Sequence, residues 1–160
     1  MKTYLILAAC ALAAACATNT QTADVDAVEQ ASTAPAIPPG SQADLEQNAG
    51  HRVYFGYDEY TLTAQAQSAL RQQAQWLMDN PDVRVQLAGN CDERGTREYN
   101  LALGAKRAEA ARDFLLSQGV DAARIKTVSY GKERPIEIGS GEAVWSRNRN
   151  STTTVMSASS

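Results

Sequence analysis

The chain has 160 residues, 44% of them hydrophobic and 21% charged, with a net charge of −3 and a pI near 5.2. That length holds one ordinary domain and a tail rather than two full domains, and the acidic balance gives no support for nucleic-acid binding. A single histidine, His51, leaves no His-rich metal site, and the three cysteines, Cys10, Cys16 and Cys91, are too unevenly placed for a disulfide framework.

Residues 1–15 carry one lysine, then an apolar run, then small residues ahead of Cys16, the layout of a secretory signal. The run is short of the roughly 20 apolar residues needed to span a bilayer. It resembles a bacterial lipobox, in which the peptide is cut before a lipidated cysteine. Leu7-Ala8-Ala9-Cys10 has the better residue three places before cysteine, whereas Ala13-Ala14-Ala15-Cys16 leaves an apolar run of adequate length. Cys16 is therefore the expected lipidation site and Cys10 the alternative, with residues 16–50 as a lipidated cysteine and flexible linker. Ala17 to Gly50 is rich in Ala, Thr, Gln and Ser, interrupted by Pro35, Pro38 and Pro39, with no sustained apolar period. Such a segment reads as a tether able to stretch to roughly 110 Å.

A folded domain is expected over residues 51–157. Arg52 to Phe55 reads as a strand, and Leu62 to Asp79 as a helix with Ala66, Leu70, Ala74 and Leu77 on one face. Val83 to Leu87 alternates as a strand, Tyr99 to Gln118 is helical, and Ile125 to Tyr130 and Ser151 to Met156 read as further strands. Strands alternating with helices predict an α/β two-layer sandwich, a small mixed sheet with helices on one face.

The chemistry concentrates at the loop after the second strand, Gly89 to Glu98, where ligands commonly sit in such folds. Asp92 and Glu93 are acceptors there, Gly95 permits a sharp turn, and Thr96 can cap a helix starting at Arg97. Gly104 interrupts the helical pattern and reads as the N-cap of a fresh helix, which would put Lys106 and Arg107 in a first turn where cations oppose the dipole. An anion bound there would resolve the conflict, and a zwitterion could then give its carboxylate to Arg107 and its ammonium to Asp92. Asp92 and Arg107 paired simply with each other is the plainer alternative. Glu93, Arg94, Lys106, Arg134 and Arg147 read as solvated surface, and Trp76 and Trp145 as packing residues, with Trp145 able to shape a rim. A hydrolase using Asp92 and Glu93 as acid and base lacks any supporting nucleophile or metal constellation.

At these residues the sequence resembles the OmpA-like domain family, and within it the peptidoglycan-associated lipoproteins. The family motif falls on Asn100, Leu103, Gly104, Arg107, Ala108, Ala111 (in a valine slot) and Leu115, and the stretches from Cys91 to Gly104 and from Val128 to Pro135 resemble the lipoproteins specifically. The resemblance covers about two-thirds of the chain. It implies a βαβαβ domain that is no enzyme and has no cofactor. It implies that Asp92 and Arg107 hold the diaminopimelate of the peptidoglycan stem peptide, with Asn100, Thr96 and Leu103 lining the same pocket. It further implies an outer-membrane lipoprotein that ties membrane to wall within the Tol system, with TolB as partner. A domain that docks Tol-like proteins without a wall ligand is the alternative. Three departures stand out: Asn90 where the family commonly has His, Gly56 where Asp often follows the first-strand Phe, and Asn148-Arg149-Asn150 in place of Asn-Arg-Arg.

Overall fold

The computed structural model describes residues 36–156. The signal segment with Cys10 and Cys16, and most of the tether, lie outside the described residues. In chain order the elements are α1 (Gln42–Asn48), β1 (Arg52–Tyr54), α2 (Ala64–Asp79), β2 (Arg84–Asn90), α3 (Arg97–Ser117), β3 (Ile125–Gly131), α4 (Glu142–Asn148) and β4 (Asn150–Met156). The four strands form one sheet in the order β1-β4-β2-β3. β2 and β3 are parallel, joined by the long crossover through α3, while β4 lies antiparallel to both β1 and β2. The expected α/β architecture is therefore present, and α1 and α4 are added to it.

α2 follows from its caps and its stripe. The Thr63 hydroxyl accepts from the Ala66 N–H at 3.1 Å, and Ala66, Leu70, Ala74 and Leu77 are buried at helical spacing. Asn80 closes the helix by donating to the Trp76 carbonyl at 2.8 Å, just before Pro81. The core lies between this helix, α3 and one face of the sheet, with Val53, Val85, Leu87 and Ile125 from the strands. The opposite face carries Arg52, Gln86, Tyr130, Thr152 and Thr154 along a shallow open groove.

Two expectations are corrected here. The domain begins before residue 51: α1 forms within the segment expected to be a linker. Ser41 caps it by accepting from the Asp44 N–H at 3.2 Å, and Leu45 is fully buried in the core. Asp44 then accepts from Gly40 N at 2.9 Å and from the Trp76 indole at 3.0 Å. One leucine is too few to register as an apolar period, yet it suffices where the remainder of the domain supplies the surface to bury it against.

Gly104 is the second correction. It sits inside one continuous helix, and Arg107 is in that helix's middle rather than its first turn. A Cβ on Gly104 would strike the Ser129 hydroxyl and lie 2.8 Å from the Gly89 carbonyl oxygen, and a Cβ on Gly89 would overlap the Gly104 carbonyl. Two glycines thus let α3 rest on β2 backbone to backbone. That close approach offsets the roughly 1 kcal/mol a mid-helix glycine costs.

Candidate functional site

The Gly89–Gly104 contact lowers the first half of α3 onto the end of β2, so the side chain at Arg107 reaches the loops beyond the strands. Its guanidinium is fully buried. Nε donates to the Glu59 carbonyl at 2.8 Å, Nη1 to the Asn90 carbonyl at 2.8 Å and the Cys91 sulfur at 3.4 Å, and Nη2 to the Gly56 carbonyl at 3.0 Å. These four bonds leave one of the five guanidinium N–H groups, on Nη2, without an acceptor among the described residues. Burial pulls its pKa below the usual arginine value, and the nearest countercharges offset this only in part. No carboxylate forms an ion pair with Arg107 among the described residues.

Asp92, also buried, is held differently. Its Oδ1 accepts from the backbone N–H of Arg94 at 3.1 Å and from Arg94 Nε at 3.0 Å; its Oδ2 accepts from Arg94 Nη2 at 2.7 Å and Arg149 Nη1 at 3.4 Å. Burial alone would raise this carboxyl, but hydrogen bonds and charge from Arg94, helped by Arg149, outweigh it and hold the group below the ordinary carboxylate range. Asp92 and Arg107 are not paired with each other, so the plain ion pair between them is absent. Arg149, named from the sequence only as part of the Asn148-Arg149-Asn150 departure, is buried at the root of β4, donating to the Phe55 carbonyl at 3.2 Å and pairing with Glu142.

Arg94 does not belong with the solvated surface. Its guanidinium lies between the rings of Tyr57 and Trp145, 4.2 and 4.0 Å from their centroids. Trp145 is fixed from α4 by donating to Glu93 Oε1 at 2.9 Å, and Ser140 donates to the same oxygen at 2.6 Å. Glu93 is thereby a rim brace, its carboxyl held low by these two donors. Lys106, Arg134 and Arg147 do stay at the periphery, over Tyr60, over Tyr130 and beside Glu137 respectively.

Asp92, Asn100, Leu103 and Arg107 come together as walls of one cavity of about 180 Å³. Asn100 is buried and donates to the carbonyls of Arg94 (2.7 Å) and Thr96 (3.0 Å), fixing the loop. Thr96 is not in the wall. Its hydroxyl accepts from the Tyr99 N–H at 3.2 Å and caps α3, so it serves the site through the helix start. The loop after β1 supplies Tyr57 and Asp58, with Asp58 at φ +56° accepting from the Tyr99 hydroxyl. Neither was expected; the run Tyr57-Asp58-Glu59-Tyr60 at the same end of the sheet was the available signal. Asn90 turns its side chain to Asn150 Oδ1 at 2.9 Å and the Ala88 carbonyl at 3.1 Å, and meets Arg107 only through its peptide oxygen. Gly56 likewise contributes a backbone acceptor, so the loss of a side-chain carboxylate there does not empty that position of oxygen.

The cavity is thus a small cleft with a buried cation on one wall and a carboxylate on the other. It is suited to gripping a small zwitterion. The family model for the OmpA family matches residues 54–149. The chain belongs to the OmpA family, among its peptidoglycan-associated lipoproteins. It is 53% identical over 115 residues to the peptidoglycan-associated lipoprotein of Agrobacterium fabrum, covering 72% of this chain and 65% of that one. With the Mesorhizobium japonicum protein of the same name it shares 50% over 125 residues, 78% and 74% of the two lengths. The crystal structure of the peptidoglycan-associated lipoprotein from Burkholderia pseudomallei superposes with a TM-score of 0.64 at 46% identity, covering 66% of this chain and 90% of that one. The described part of this OmpA-family chain has no helix long and apolar enough to cross a membrane.

Proposed function

We propose that this domain binds peptidoglycan non-covalently by taking the side-chain zwitterion of diaminopimelate into the cavity, its ammonium toward Asp92 and its carboxylate toward Arg107. The observation that carries this reading is the buried Arg107 guanidinium, whose hydrogen-bond acceptors among the described residues are three carbonyls and a thiol and which keeps one N–H unused. A buried cation without a paired anion is costly, and a bound carboxylate would relieve that cost. Leu103 and Tyr99 give the methylene stem an apolar wall. Binding rather than catalysis suits the two acids: Asp92 and Glu93 are both held below the ordinary carboxylate range, which makes them poor proton donors at neutral pH and weak bases.

Anchored through a lipid on Cys16, or on Cys10, the chain would tie the outer membrane to the wall from the periplasmic side, with TolB and other Tol proteins as partners. The names of its relatives support the wall and lipid parts of this reading, and the Tol partnership rests on the family resemblance.

The test is retention on isolated sacculi. Wild type is expected to bind, Asp92→Asn and Arg107→Lys to lose binding, and sacculi carrying Lys in place of diaminopimelate to bind poorly, because Lys offers no carboxylate to Arg107. Undiminished binding by both variants, with their folding verified by circular dichroism, overturns the assignment; release of soluble muropeptides would point to an enzyme instead.

A further inference from the structure

The Asp92 carboxylate is already full. A carboxylate offers about four lone-pair positions, and here each oxygen accepts two hydrogen bonds: Oδ1 from Arg94 N and Nε, Oδ2 from Arg94 Nη2 and Arg149 Nη1. No cation can join Asp92 without displacing a donor. Of the donors present, the Arg94 N–H belongs to the loop backbone. The Arg149 side chain is 6% exposed and tied also to Phe55 and Glu142. The Arg94 side chain is the loosest of them at 32% exposed, anchored otherwise only between the faces of Tyr57 and Trp145.

We infer that Arg94 is a built-in competitor: its guanidinium occupies the ammonium position on Asp92, and a ligand's primary ammonium binds by displacing it. The inference rests on the proposed zwitterion site and adds to it the group that must leave. The closed state keeps Asp92 ionised and paired when no ligand is present, and it sets a threshold against weak cations. A ligand anchored at once by a carboxylate on Arg107 overcomes that threshold, whereas a free amine lacks the second attachment. Arg94 thus acts as a specificity-determining residue. The carboxylates nearest the released guanidinium, Glu93 and Glu142, already accept from Ser140 and Trp145 and from Arg149, so giving up Asp92 lowers affinity in the wild type.

An exposed-to-partly-buried ion pair with stacking corresponds to roughly three- to tenfold in affinity. Titration calorimetry of the full chain in mild detergent, with a soluble diaminopimelate muropeptide as probe, should find Arg94→Gln binding tighter than wild type by that factor. Arg94→Lys, which keeps the charge but not the fork, should fall between them. In parallel, the ¹⁵N resonance of Arg94 Nε should mark an ordered N–H in the free protein and a released one at saturation, a change that a purely structural arginine would not show. Equal or weaker binding by Arg94→Gln, or an Arg94 Nε–H still held on Asp92 in the saturated wild type, overturns the displacement while leaving the wall ligand standing. Absence of binding by wild type and both variants overturns the zwitterion site and the displacement with it.

Discussion

The two walls of the cavity bury opposite charges by opposite means. Arg107 is held by backbone carbonyls, those of Gly56 and Glu59 in the loop after β1 and that of Asn90 at the end of β2. Asp92 is held mostly by side chains, one of them partly exposed and stacked between two rings. A charge fixed by backbone is part of the scaffold, and its removal damages the fold. A charge fixed by side chains can exchange partners, so its wall is where binding, competition and pH act. The pair is therefore asymmetric: one half is a fixed receptor and the other is adjustable.

The harshest way to break this contrast is Arg107→Ala. It leaves the Gly56, Glu59 and Asn90 carbonyls without their donor, and at about 1–3 kcal/mol for each buried acceptor left unsatisfied, urea unfolding should show a loss of about 3 kcal/mol or more. A loss below about 1 kcal/mol would mean that the arginine is no scaffold element. Gly104→Ala comes next. Helix propensity would favour it by about 1 kcal/mol, but the added methyl meets Gly89 and Ser129, so a net loss of about 1–3 kcal/mol is expected from overpacking. A stabilised variant would show that α3 does not need its backbone contact with β2.

The pH response sharpens the other wall. Asp92 has its folded pKa depressed, so its contribution to stability is complete above the unfolded carboxylate value, near 3.9, and is lost as pH falls through the lower folded value. Chemical denaturation of wild type against Asp92→Asn should therefore differ at neutral pH and converge in acid. Curves that stay parallel down to about pH 2 would remove the ion pairs from the stability of the fold. The mildest change is Ser41→Ala, which removes the cap of α1 and should cost about 1 kcal/mol. It tests a segment remote from both walls, and wall binding should be unaltered.

Much of this was legible in the chain, and what was missed has a common cause. The stripes of α2, the Thr96 cap and the alternation of β2 are local patterns, repeated over enough residues to stand out. Asn100 and Leu103 reached the site through the family motif and not through spacing, because reading Gly104 as a helix start cut them off from Arg107. Gly104 could not be read correctly, because a helix-interior glycine marks either an end or a close approach, and only the neighbouring strand says which. α1 hides behind a single leucine. α4 begins just past Gly139-Ser140-Gly141 and buries only Asn148, so it carries no apolar stripe. Arg94 looked solvated because the two rings that enclose it come from the loop after β1 and from α4, far away in sequence.

The sheet order carries one more consequence, for the timing of folding. β4 is the last strand in chain order, yet it lies between β1 and β2 and is their only link within the sheet. Until it arrives, β1 has no edge to join, and the sheet consists of the parallel β2–β3 pair alone. Arg149, one residue ahead of that strand, arrives with it. A growing chain therefore has neither a closed sheet nor a finished binding cleft until its final segment is available. Assembly depends on pairing the first strand with the last across a long loop, a topology that folds slowly.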